Sequence, residues 1–249
     1  LALKAGEWSR TMLEDDLDRA HKFYTLVLDV EPQHEQALGA LETIARQRTN
    51  YTELVDVLTQ KVELLSDPVQ RFETYAEMGQ LHNHLEQYEQ AIDAFRDASM
   101  LDPANLEVMQ SLIALYEQQE RWNDLVDELE RLANTDPRPE TQLPVLARVG
   151  HEANVHLDDK MRALDAYERA LSLAPNDVEL LRAVEPLYAE TSQFDRQGEI
   201  LDRLLELATT DEDRVKVMVR RAQIAYEYHN DTEQAIRLFQ SAYDLSPSS

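Results

Sequence analysis

Cysteine is absent from the 249 residues, and glycine and lysine occur five times each. Without thiols the chain forms no disulfide and no thiolate metal site, while its redox compartment stays open. So few glycines exclude a flexible linker and a glycine-rich phosphate loop. No apolar run approaches the ~18 residues of a membrane span, so no membrane partner is expected. Basic charge is scarce as well: 24 basic residues stand against 49 acidic ones, for a net charge of −25. The one basic concentration, Arg214, Lys216, Arg220 and Arg221, is short and flanked by Asp211, Glu212 and Asp213. Nucleic-acid binding needs a contiguous basic face to neutralise phosphates, so no nucleic-acid partner is expected. The acidity leaves two readings open, a solvated surface that keeps the protein soluble or a field that attracts a basic partner.

Catalytic and metal signals are equally sparse. His151-Glu152-Ala153-Asn154-Val155-His156 looks like a zinc-protease helix, but its histidines are five apart rather than four. At ~100° per residue that spacing swings the second imidazole about 140° off the face of the first. His82 and His84 lie about 200° apart on a helix, and His82 takes a packing position. The acidic turns Glu14-Asp15-Asp16 and Asp158-Asp159-Lys160 lack the glycine and ligand spacing of a calcium loop. No serine or threonine sits in a nucleophile context. The expectation is a chain without enzyme activity, metal or cofactor.

What is present is a period. Pro32, Pro103, Pro175 and Pro247 recur at intervals of 71, 72 and 72 residues. The same small and aromatic residues precede each of them: Ala20, Tyr24 and Val27; Ala91, Phe95 and Ala98; Ala163, Tyr167 and Ala170; Ala235, Phe239 and Ala242. Steps of four and three keep each trio on one helical face. Alanine admits a neighbouring helix, the ring fills the gap between helices, and proline ends the segment because it lacks the next backbone donor. In the best copy Tyr75, Met78, Gly79 and His82 come before Ala91, and the stretch Phe72 to Asn105 resembles the tetratricopeptide repeat. A second, degenerate motif alternates with it, carrying Tyr51, Leu54 and Leu58; Trp122, Leu125 and Leu129; and Phe194, Gln197 and Leu201. Leu125 and Gln197 stand where alanine is expected, which predicts a wider helix spacing there.

The resemblance implies an all-α, right-handed superhelical α-solenoid of antiparallel helix pairs. About seven pairs are expected in a single solenoid over 1–249, at roughly 1–33, 34–67, 68–104, 105–139, 140–176, 177–211 and 212–249, with no domain boundary. Asp67-Pro68-Val69-Gln70 and Asn176 with Glu179 read as helix starts. The prolines at 137, 139 and 144 predict a stiff connection from Asn134 to Pro144, and Pro186 predicts a kink near Val184. The chain opens on Leu1-Ala2-Leu3 and stops at Pro247 without polar caps, so a fragment of a longer chain is expected. Its uncapped C-terminal end would form a homo-oligomer through Leu238, Phe239 and Ala242. Leu1-Ala2-Leu3-Lys4-Ala5 lacks the charged leader and apolar stretch of a signal peptide, and the expected setting is bacterial and cytoplasmic.

In proteins similar to this family the first helix of each pair lines a concave groove, and ligands meet positions that packing leaves free. Those positions here include Glu73, Gln80, Asn83, Glu107, Gln110, Glu117, His151, Asn154, Arg182 and Arg220. Amide and carboxylate side chains on such a wall can satisfy an extended peptide backbone, whereas the bland alternative is a hydrated face that binds nothing. Some family members clamp a C-terminal carboxylate with lysine, asparagine and arginine. Ala76, Gln80 and Gln110 occupy those places here, which argues against that ligand, although Arg220 and Arg221 could receive an acidic segment. The functional expectation is a non-enzymatic scaffold for a protein or peptide partner. The alternative is an oligomerisation or spacer segment of a larger protein.

Overall fold

The computed structural model describes residues 17–246. The opening Leu1-Ala2-Leu3, the turn at Glu14-Asp15-Asp16 and the fourth proline, Pro247, lie outside the described residues. Among those described, the fold is all-α, with thirteen helices and no strand. The chain divides into two compact units, residues 1–120 and 121–249.

The first unit holds α1 (Leu17–Val30), α2 (Glu35–Gln47), α3 (Tyr51–Val62), α4 (Pro68–His84), α5 (Tyr88–Leu101) and α6 (Leu106–Gln118). Each helix packs on the next in the chain. Ala20 and Tyr24 of α1 meet Leu38, Leu41 and Ile44 of α2 and Val57 of α3 in one buried cluster. A second cluster joins Ala45, Leu54, Leu58, Met78 and Ala94. The second unit holds α7 (Trp122–Thr135), α8 (Pro139–Leu157), α9 (Lys160–Leu173), α10 (Val178–Glu190), α11 (Phe194–Leu207), α12 (Asp211–Glu227) and α13 (Thr232–Leu245), again with each helix on its chain neighbour. Its interior includes Leu125, Leu129, Leu146, Val149, Ala163, Tyr167, Leu181 and Val184.

The periodic prolines make one recurring turn. The backbone N–H before each proline closes the helix on the third packing residue: Glu31 on Val27, Asp102 on Ala98 and Ala174 on Ala170, at 2.9–3.0 Å. Proline then occupies the second position of a β-turn, whose end hydrogen-bonds back as His34 to Glu31, Asn105 to Asp102 and Asp177 to Ala174, at 3.1–3.3 Å. That last residue is also the N-cap of the next helix. Asn105 Oδ1 accepts from Val108 N at 3.1 Å, and Asp177 Oδ1 accepts from Glu179 N and Leu180 N at 2.9 and 3.1 Å. The cap is therefore Asp177 rather than Asn176, because the turn places residue four, not residue three, against the free amides. Asp67 caps α4 as expected, accepting from Val69 N at 3.0 Å.

One proline expectation changes. The connection from Asn134 to Pro144 shortens to residues 136–138, because Pro139 opens α8 at its first position and Pro144 is carried inside that helix. A proline at the helix start loses no hydrogen bond, and Pro144, exposed near the same end, removes only the donor to the Glu140 carbonyl. Side-chain hydrogen bonds from Arg138 fasten the short connection and hold the Asp136 carboxyl at about 2. Helix α10 runs from Val178 to Glu190 with Pro186 inside it, close to the Val178–Thr191 span expected.

Six described residues have left-handed backbone without being glycine: Thr49, Glu86, Glu120, Asp158, Ser192 and Asn230. They follow α2, α4, α6, α8, α10 and α12, where the chain reverses inside a helix pair. Side chains there crowd the carbonyl, and glycine escapes that penalty. Glu86→Gly is therefore expected to stabilise the chain by about 0.5–1 kcal/mol. A higher urea midpoint at unchanged slope would show it; a lower midpoint would mean that the Glu86 side chain contributes more than its strain costs.

Candidate functional site

Three ring pairs occupy equivalent places and account for two of the conspicuous histidines. Tyr51 meets His84 edge-on at 4.8 Å between centroids, Trp122 stacks on His156 at 3.6 Å, and Phe194 stacks on Tyr228 at 3.5 Å. Each joins the start of one helix to the end of the next helix in the chain. His82 Nδ1 lies 2.8 Å from Gln87 Oε1. Among the described residues no group of three histidine or carboxylate side chains is placed to hold a metal ion. No described helix is long and apolar enough to cross a membrane.

In the first unit the candidate residues lie on α4 and α6. Helix α4 buries Thr74, Met78 and Gly79, which leaves Glu73, Gln80 and Asn83 exposed. Helix α6 buries Val108, Met109, Leu112, Ile113, Leu115 and Tyr116, which leaves Glu107, Gln110 and Glu117 exposed. Gln80 Nε2 reaches Glu107 Oε1 at 3.5 Å and brings the two helices' polar faces together. The nearby cation Arg46 is already engaged, with Glu77 and, at 2.9 Å, with Glu42, and these partners raise its pKa further. The α4–α6 face is thus acidic and amide-rich.

In the second unit His151 and Asn154 lie on α8, the former exposed and the latter half-buried, and neither lines the cavity of Arg182 and Arg220. Arg182 of α10 and Arg220 of α12 do come together, at a cavity of about 520 Å³ also lined by Glu185, Leu201, Leu204, Asp213, Lys216 and Val217. Arg220 Nη1 stands 2.7 Å from Glu185 Oε2, and Gln197 Nε2 donates to Glu185 Oε1 at 2.6 Å. Glu185 and Gln197 are only 2% and 5% exposed. Arg182 Nη2 lies 3.6 Å from Asp213 Oδ1.

Sequence reasoning missed Lys216 and Glu185 as parts of this cavity. A signal was available for Glu185, which follows the buried Leu181 by four residues and so falls on the apolar face. The basic concentration on α12 is also corrected. Arg221 turns inward, 9% exposed, and its Nε bonds Asp202 Oδ1 at 2.9 Å. Arg221 therefore presents no charge to a ligand, because one step along a helix rotates a side chain by about 100°.

A family model described as tetratricopeptide repeat matches residues 72–105. No curated protein matches the chain. Among solved structures, that of Naa15/Naa10 bound to HypK-THB is similar over all of this chain and 36% of its own, at 15% identity and a TM-score of 0.53. YrrB, described as a TPR protein with an unusual peptide-binding site, aligns over 78% of this chain and 94% of its own, at 18% identity and a TM-score of 0.44. A MamA protein aligns over 71% of this chain and 92% of its own, at 19% identity and a TM-score of 0.43.

Proposed function

We propose that this chain, a tandem array of tetratricopeptide-like helix pairs, is a non-enzymatic scaffold that binds a protein or peptide through side chains its packing leaves exposed. The observation that carries the reading is the α4–α6 face. These two helices, separated in the chain by α5, turn Glu73, Gln80, Asn83, Glu107, Gln110 and Glu117 outward, with Gln80 and Glu107 in reach of each other. Such side chains can replace water around an extended backbone, and their carboxylates suit a basic peptide in a chain of net charge −25.

Peptides selected from a random display library on the purified chain test this reading. Binding should fall at least about tenfold when Glu73, Gln80, Glu107 and Gln110 are changed together to alanine, with the helical signal and thermal transition unchanged. Equal binding by both proteins would remove the α4–α6 face from consideration. A cytoplasmic location belongs to the same proposal and is tested by fractionating cells that express the tagged chain.

One observation favours the oligomer reading beside it. Ile236, Phe239 and Tyr243 of α13 are 51%, 43% and 63% exposed, whereas the residues 72 positions earlier, Leu164, Tyr167 and Leu171, are at most 7% exposed. A self-associating chain would gain mass with concentration and lose that tendency in Ile236→Glu.

A further inference from the structure

We propose that the cavity between α10, α11 and α12 receives an acidic peptide segment, one aliphatic side chain entering its apolar floor while flanking carboxylates meet Arg182, Lys216 and Arg220. The inference rests on the scaffold reading and names the partner's chemistry at one place.

The lining suits such a segment. Leu201, Leu204, Leu207 and Val217 make an apolar floor, and three cations stand at the same cavity against two carboxylates, Glu185 and Asp213. The side chains of Arg182, Lys216 and Arg220 remain 53%, 64% and 53% exposed. Their present ties leave them available. Arg182 sits 3.6 and 3.7 Å from Asp213 and Glu179, beyond good hydrogen-bond length, and Lys216 pairs with Glu212 only in an exposed contact one helical turn away.

Glu185 is buried beside the cations. Its two oxygens are taken by Gln197 and Arg220, so it fixes the guanidinium rather than competing for a ligand. Only one of the five N–H groups of Arg220 is needed for that bond, and the rest of the fork can meet a carboxylate. At the places 72 residues earlier stand Ile113 and Leu125, 7% and 0% exposed. A polar pair has thus replaced an apolar one in the interior, which burial disfavours unless it serves a purpose beyond packing. Positioning a ligand-binding arginine is such a purpose.

On a chain with 49 acidic and 24 basic residues, most of the surface repels an acidic segment, so the few cations gathered at this cavity also select where it can rest.

The test uses a fluorescent peptide of about eight residues, blocked at both ends, with leucine among glutamates and aspartates, and a control with glutamine and asparagine in their place. We expect the acidic peptide to bind at least about tenfold tighter than its control and to weaken as salt rises from about 50 to about 300 mM. Arg182→Gln with Lys216→Gln should lower its affinity about tenfold without changing the unfolding transition, since both side chains are exposed. Equal binding of the two peptides, no binding of either, or full affinity in that double variant would overturn the proposal. So would loss of binding in the α4–α6 variant instead, or a single-stranded oligonucleotide binding more tightly than the peptide. None of these outcomes touches the scaffold reading, which stands or falls on the library peptides and the α4–α6 face.

Discussion

Replacing Gly150 by alanine is expected to destabilise the protein by about 2 kcal/mol, although alanine is the better helix former. A Cβ on Gly150 would lie 2.7–2.8 Å from three atoms of the Tyr167 ring, where carbon atoms normally keep about 3.5–4.0 Å apart. The three near-equal distances mean that the ring lies flat on the glycine. Tyr167 is 6% exposed and flanked on its own helix by the buried Ala163, Leu164 and Ala170, so retreat would disturb the interior. Overpacking of this kind costs about 3 kcal/mol at its upper range, and the helix preference of alanine returns about 1. Urea unfolding reads the loss, and adding Tyr167→Leu should recover part of it as a non-additive coupling. Gly79→Ala should behave alike, because its Cβ would meet the Phe95 ring at 2.7–2.8 Å. A gain in stability from either substitution would show that the rings do not seal against the glycines.

Exchanging Glu185 for isoleucine together with Gln197 for leucine should raise stability by about 1–3 kcal/mol while weakening the acidic peptide. The two substitutions restore the residue types that occupy the corresponding interior places at Ile113 and Leu125. They remove a buried carboxylate whose desolvation its Gln197 and Arg220 bonds only offset, and they release Arg220 from its fixed position. Gln197→Leu alone should do the opposite to stability, costing about 1–3 kcal/mol, since Glu185 Oε1 would then be buried without a donor. The pair of results separates two roles: a double variant that is less stable would make the network structural, and one that is more stable yet binds equally well would leave it without the positioning role assigned to it.

The sequence and the structure agree most closely where a residue's partners are near in the chain or repeated along it. The proline turns, the trio Ala91, Phe95 and Ala98, and the cap at Asp67 depend on local geometry, and each copy reinforces the next. Disagreements arise where one residue of rotation or one distant partner decides. Asp177 displaced Asn176 as a cap by a single position in the turn. Arg220 and Arg221 are neighbours, yet Asp202 draws one inward and Glu185 holds the other at the cavity. The spacing from Leu181 puts Glu185 on the apolar face, but its partners, Gln197 twelve residues on and Arg220 on α12, emerge only when the helices are brought together. Of the candidate residues, nine are exposed and Asn154 is half-buried; Gln80 meets Glu107, and Arg182 and Arg220 line one cavity. Periodicity identifies which side of a helix faces outward; it does not say which outward residues converge.

Within each unit the helices touch chiefly the ones next to them in the chain. A tensile load applied to the ends of such a unit has no set of distant contacts to shear at once, and it meets one helix-to-helix contact at a time. The unit should therefore lengthen in a series of small, low-force steps and shorten again by the same path when released, since each helix that peels away keeps its neighbour as a template for return. In mechanical terms the repeating turn makes the protein compliant along its chain while each interior stays close-packed.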